Sequence, residues 1–517
     1  MKIEFEKTAV SCLDPKIRDV QSQEQTQELR LPDGMPDIGN VLGAWGQCIL
    51  RGKEWRSGEI SVSGGVTVWV MYQPADGSAP QSLEAWLPMQ QKWGVTDNQR
   101  EGVIRTRWHL KSVDARPLSL RKLMLRASVQ VLAEVLEPME AQLPVVSEVP
   151  EDIRLLRRQY PVQVIKEAGE KTFRLENELA LPAGAVIPEK IVYCQLMPVV
   201  TEQKVVDGKA VFRGSVRCHV LYIGDDGGLH SADPELPFAQ FEELTGRYDE
   251  GAALSVMMEV TGFEPELQAG TLSAKCSLTG QYAIHDRVMV DIVEDAYSPS
   301  RTVSVTTEPM LLPNVLDTGR KIVEPEAEYE GGRIVDAAVY PEYPTIHRAG
   351  DLTELEFNCT MQILGYNEEG ELEGAQQRWS ECWELPAERV TQVYPLVCMV
   401  TPPQISGGRI TAELEAQADT IASSVGNAVT SMEAGEPKPL DPNRPSVLLR
   451  RAGGKSLWEL AKKTGTTVEA IYAANQLTQE PVDDRILLIP IPEIGNAAPW
   501  ERRGGVGRRS QGGVRWV

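Results

Sequence analysis

Histidine and closely spaced cysteines are both scarce in this 517-residue chain, and each scarcity removes a class of function. The five histidines stand at 109, 219, 230, 285 and 347, none with a spaced partner. No GxxxxGK, HExxH or GxSxG string occurs, so neither a phosphate loop, a zinc protease helix nor a nucleophile elbow is present. No enzyme, no cofactor and no metal is therefore expected. The eight cysteines (Cys12, Cys48, Cys194, Cys218, Cys276, Cys359, Cys382 and Cys398) include no CxxC pair, which argues against a zinc knuckle or a disulfide framework. Runs of about 18 apolar residues, the length that spans a bilayer, are missing as well. The opening "MKIEFEKTAVSCLDPKIRDV" lacks a signal-length apolar segment, so the expectation is a cytoplasmic protein. Basic residues are outnumbered 52 to 74, a net charge of −22 that disfavours nucleic acid as a partner of the main body. The exception is the end from Glu493, with five arginines and six glycines. It reads either as a solvated tail or as an electrostatic tether to anionic lipid or an acidic partner.

Internal repetition is plentiful by contrast. "ELRLPDG" at 28–34 returns as "ELALPAG" at 178–184, and "VTVWVMYQPADGS" at 66–78 returns as "VRCHVLYIGDDGG" at 216–228, both offset by 150. A diverged third copy, "CTMQILGYNEEGE", occupies 359–371. Each copy alternates apolar and polar residues with a period of two, the mark of a half-buried strand. In copy two Phe212, Val216, Cys218, Val220 and Tyr222 share one phase, and Arg213, Ser215, Arg217 and His219 the other. Turns follow at Asp76–Gly77, Asp226–Gly227 and Glu369–Gly370, where glycine supplies positive φ. Gly365 is a candidate bulge in copy three. A later strand closes each copy: Leu123 to Val131, Leu272 to Leu278, and Ile410 to Ala416. The prediction is a mainly β protein with antiparallel units at 1–150, 151–300 and 301–434, each with one face on a core and one facing water or a partner. Residues 139–161 read as an inter-domain connection, with a short helix after Pro150.

Four prolines in 435–445 mark a linker. Residues 446–492 then read strand–helix–helix–strand, a small α+β module. Ser456 with Glu459 forms a capping pattern, Leu457, Leu460 and Ala461 share a helix face, Gly465 ends the first helix, and Thr467 caps the second. "ILLIP" at 486–490 returns as a strand.

This module resembles the LysM family over its whole length. The residues that carry the resemblance are Gly454, Ser456, Leu457, Trp458, Leu460, Ala461, Val468, Ile471, Asn475, Leu487, Ile489 and Pro490. The family implies a shallow groove for N-acetylglucosamine chains between the two loops flanking the sheet. Here Lys455 replaces the usual Asp, and Asp484, followed by Arg485, replaces a usual Gly, so both lips of that groove are altered. With the repeats, the chain resembles SipL-type spore morphogenetic proteins, which carry SPOCS-type repeats ahead of one C-terminal LysM. That resemblance implies a non-enzymatic scaffold in spore coat assembly, made in the mother cell and recruited to the forespore surface. The implied partner is the coat basement-layer ATPase, stage IV sporulation protein A. The alternative is a peptidoglycan-binding protein of the wall or cortex; a wall hydrolase would need a catalytic domain that no stretch supplies. The expected contact residues are Gly454, Lys455, Ser456, Trp458, Asn475, Asp484 and Arg485. Trp458 lies off the Leu457/Leu460/Ala461 face, which leaves it either an exposed anchor or a residue packed within its own module.

Overall fold

The computed structural model describes residues 2–3, 6–56, 58–95, 102–145, 149–248, 251–350, 352–385, 392–439, 445–452, 454, 456–479 and 485–491. After β1 (Lys2–Ile3), the first unit contains β2 (Glu6–Arg30), β3 (Ile38–Arg56), β4 (Glu59–Pro74), β5 (Gln81–Gly94), β6 (Val103–Ser119) and β7 (Lys122–Val145). The second repeats the order with β8 (Arg154–Glu178), β9 (Pro188–Val206), β10 (Lys209–Gly224), β11 (Leu229–Ala232), β12 (Glu235–Glu243), β13 (Ala253–Gln268) and β14 (Thr271–Tyr297). The third contains β15 (Arg301–Val323), β16 (Glu326–Glu328), β17 (Ile334–Pro341), β18 (Thr345–Ala349), β19 (Leu352–Tyr366), β20 (Leu372–Leu385), β21 (Gln392–Met399), β22 (Gln404–Ser406), β23 (Arg409–Thr411) and β24 (Leu414–Pro437). The C-terminal module is β25 (Val447–Arg451), α1 (Leu457–Thr464), α2 (Val468–Asn475) and β26 (Ile486–Pro490).

Every described ladder is antiparallel, so the protein is mainly β with three repeated units and a βααβ module. Each unit has a short sheet built on its "VTVWVMY"-type strand: β3-β4-β5, β9-β10-β12, and β17-β19-β20. Each also has a long two-stranded ribbon, made by β2/β7, β8/β14 and β15/β24, with β6, β13 or β21 added alongside. The apolar phase read from sequence is the core phase: Phe212, Val216, Cys218 and Val220 are fully buried, as are Leu123, Leu125, Ala127 and Val129. Gly77, Gly227 and Gly370 all have positive φ at the following turns. Burial pushes the Cys276 and Cys359 thiols up to about 12, which suits small inert core residues.

Two local expectations are corrected. The segment after Pro150 is not helical but opens β8, because residues 154–165 find a complete ladder on β14, and tertiary pairing overrides a weak helix preference. The irregularity near Gly365 lies in the neighbouring strand, where Ile334 and Asp336 pair with Gly365 and Leu364 and leave Val335 as the extra residue.

The three units close into a ring. β3 of the first packs on β13 of the second, β9 of the second on β21 of the third, and β17 of the third on β6 of the first. Where these six strands meet they leave a cavity of about 100 Å³. Beyond the ring the ribbons continue side by side as a stalk. Residues 286–297 of β14 pair with β8 alone, an extension of roughly 40 Å at about 3.4 Å per residue. Val162, Val290, Ile292 and Ala428 fill one layer of the stalk, and Ile153, Val293, Ala296, Val429 and Met432 another.

The unit junctions use polar side chains that the alternation had placed off the core phase. His219 of β10 is sandwiched between Asp233 (2.5 Å) and the fully buried Asp336 of β17 (2.7 Å). Tyr193 donates to the same Asp336 (2.6 Å) and stacks flat on Trp45, ring centroids 4.8 Å apart. Burial alone would push the His219 imidazole down, but Asp336 and Asp233 outweigh it and hold it up at about 10. A base raised in the folded state stabilises fully below its unfolded value of about 6.5, and the contribution is lost as pH climbs to about 10. His219→Gln leaves Asp336 without its cation, so we expect a loss of about 3–5 kcal/mol at neutral pH. In urea melts, the wild-type advantage over this variant shrinks between pH 6.5 and 10. An advantage that is flat across that range would refute the buried imidazolium.

Candidate interaction site

The C-terminal module builds its own small core. Ser456 Oγ accepts from Glu459 N (3.2 Å) and Thr467 Oγ1 from Ala470 N (3.2 Å), so both helices are N-capped by side chains. Gly465 ends α1 in the left-handed conformation, and Gln476, following the last helical residue Asn475, does the same for α2. Leu457, Leu460, Ala461 and Ile471 pack onto Leu487 and Ile489 of the two-stranded sheet.

That core also contains a residue from outside the module. Tyr297, the last residue of β14, is buried in it and donates its hydroxyl to Thr466 O (2.9 Å). Its ring meets Trp458 edge to face at 4.7 Å. Two residues earlier, Asp295 accepts from Trp458 Nε1 (2.8 Å) and from Lys462 Nζ (2.7 Å). One face of α1 is therefore fixed to the tip of the stalk by an aromatic pair, a neutral donor and an ammonium on one carboxylate.

Against this geometry the expected contact residues separate. Trp458 is half-buried and engaged by β14, an anchor used within the chain. Asn475 donates to Ile471 O (2.8 Å) and Leu488 O (2.6 Å) and accepts from Leu488 N (2.8 Å), so both ends of its amide tie α2 to β26. Gly454, with φ +70°, Ser456 and Arg485 are exposed around the loops flanking the sheet. Lys455 and Asp484 lie outside the described residues. Sequence reasoning missed Asp295, Tyr297 and Lys462, since "EDAY" at 294–297 resembles any strand end.

The ring offers other titratable groups, and they are committed to holding strands and units together. Glu259 of β13 accepts from Arg107 and from Trp108 N (3.3 Å) of β6; burial, only partly offset by Arg107, raises its carboxyl to about 7. His109 points Nδ1 at Pro341 O (3.3 Å), and burial with Arg107 nearby lowers it to about 3, so it is neutral. Glu134 accepts from both Arg18 (2.6 Å) and Arg105 (2.8 Å). Among the described residues no group of three or more His, Cys, Asp or Glu side chains is placed to hold a metal ion, and no helix is long and apolar enough to cross a membrane.

Residues 188–266 match the family model described as SipL, SPOCS domain. The match runs from the start of β9 into β13, and thus covers the short sheet of the second unit, His219 included. It ties this unit to a sporulation-related domain family. No curated protein and no solved structure matches the chain.

Two substitutions test the module. Asp295→Ala removes the acceptor shared by Trp458 and Lys462 while leaving the module's own core untouched. We expect the module to swing free of the stalk, seen as a larger radius of gyration by X-ray scattering and altered Trp458 fluorescence, at a docking cost of about 1.5–3 kcal/mol. An unchanged scattering profile would show that Tyr297 alone suffices. Asn475→Ala strands Leu488 N–H and C=O, and should lower the module's stability by about 1–3 kcal/mol. Hydrogen exchange at Leu488 should quicken, whereas exchange as slow as in the parent chain would contradict the clamp.

Proposed function

We propose that this protein is a non-enzymatic scaffold of spore coat assembly. In this reading its three β units act as SPOCS-type domains and its C-terminal module as a LysM turned to protein binding. The partner is the coat basement-layer ATPase, stage IV sporulation protein A, and the protein works in the mother cell at the forespore surface. The observation that carries the reading is the SPOCS match in the second unit, whose strand order recurs in the other two. The burial of Glu259 and His219 in inter-unit ion pairs, and of Glu134 in ion pairs within the first unit, supports a structural rather than a catalytic use of charge. Docking of α1 on the stalk supports a module held in one orientation, as a rigid presenter needs.

The test uses the full chain with two baits. We expect retention on the immobilised ATPase, with little protein sedimenting with purified peptidoglycan. Sedimentation with peptidoglycan and no retention on the ATPase would replace the scaffold with the wall-binding alternative.

A further inference from the structure

The module's sheet has one face against the helices and one that nothing described covers. The register pairs Val447 with Pro490, Leu449 with Leu488 and Arg451 with Ile486, which places all six on the outer face. Four of them are aliphatic and exposed: Val447 at 45%, Leu449 at 65%, Ile486 at 61% and Leu488 at 37%. Scattered surface leucines need no account, but four contiguous ones on a five-residue ladder form a patch.

The edges of the sheet are unequal. Ala452 N donates to Arg485 O and Ile491 N to Ser446 O, so the hydrogen-bonded pairs fall at 446/491, 448/489, 450/487 and 452/485. The alternate residues, Leu449 and Leu488, then turn their backbone N–H and C=O outward. On the β26 side, Asn475 takes both groups of Leu488 with its side-chain amide, so that edge is closed. Among the described residues β25 pairs with β26 alone, which leaves Leu449 N–H and C=O on an open edge. The surroundings are basic. Arg451 shares the face of the patch, Arg450 and Arg485 lie in the helix-side phase of the same sheet, and all three are exposed, in a chain whose net charge is −22.

We propose that an extended acidic segment of a partner protein adds to β25 as a third strand. Its alternate apolar residues lie beside Val447 and Leu449 on the outer face, and its acidic residues, in the other phase, lie beside Arg450 with Arg451 next along the edge. A second copy of this chain is the poorer occupant, since β25 has no acidic side chain and pairing two β25 edges would gather four arginines without a counter-charge. The inference rests on the module being the partner-binding part of the scaffold reading.

The test uses the full chain and two synthetic nonapeptides, one alternating glutamate with valine and the other lysine with valine. Fluorescence anisotropy should show at least fivefold tighter binding of the acidic peptide, and Leu449 N–H should gain protection from exchange. Leu449→Pro removes only an outward N–H, a change edge strands tolerate, and Leu449→Asp spoils the apolar face; each should weaken the acidic peptide at least fivefold. Arg450→Glu with Arg451→Glu should reverse the preference. Thermal melts establish that each variant is folded, and Leu449→Ala, which keeps the N–H and loses apolar area, should fall between parent and Leu449→Asp. Failure to bind the acidic peptide, equal affinity for both peptides, or indifference to Leu449→Pro and Leu449→Asp would overturn strand addition. The ATPase bait separates the two claims. Retention that Leu449→Pro and Leu449→Asp leave intact keeps the scaffold and sinks this site, whereas peptide binding without ATPase retention does the reverse.

Discussion

An antiparallel sheet with one apolar face must bury that face against another element, and in this protein the cover for each unit comes in part from another. The core of the first unit includes Val192, Tyr193 and Leu221 of the second and Ala338, Tyr340 and Leu364 of the third. The core of the second includes Ile49 of the first, with Trp86 packed against it, and that of the third includes Met197 of the second. The ring is thus a shared core in three parts. The stalk follows from it, because closing the ring brings the three ribbons side by side.

The apolar contribution is supplemented by polar groups that specify which unit meets which. Gln281 of the second unit exchanges hydrogen bonds with both backbone groups of Thr106 in the first (2.9 and 2.8 Å), imitating a strand partner. Gly46 N donates to the Tyr340 hydroxyl (3.2 Å), a link from the first unit to the third. His219 with Asp336 joins the second to the third. Each junction has its own chemistry, so units of similar shape cannot exchange places without leaving a buried group unpaired.

The strands, turns and capping residues were legible because each rests on a local rule: period-two alternation for Phe212 to Tyr222, positive φ for Gly77 and Gly227, a side-chain acceptor at Ser456 and Thr467. What covers the polar phase was not legible. His219 has the same pattern whether it meets water or Asp336, and the two residues are 117 positions apart. The stalk was hidden because Pro144, Pro150 and Pro161 punctuate the segment like a connection, although Pro144 and Pro161 sit within paired strands. In the module, the core half of the pattern predicted the βααβ arrangement. The partner of Trp458 lies 163 residues upstream, beyond any local signal.

Sharing a core also sets a schedule. The first unit is complete only when Tyr340 and Leu364 have been made, over 300 residues after Leu31, which belongs to the same cluster. At ribosomal speeds of about 5–20 residues per second, its exposed sheet waits roughly 15–60 s for its last neighbours. During that interval β3 presents the surface that β19 and β20 of the third unit later cover, the kind chaperones recognise and other nascent chains adhere to. A truncated message ending within the third unit would therefore fail in its first.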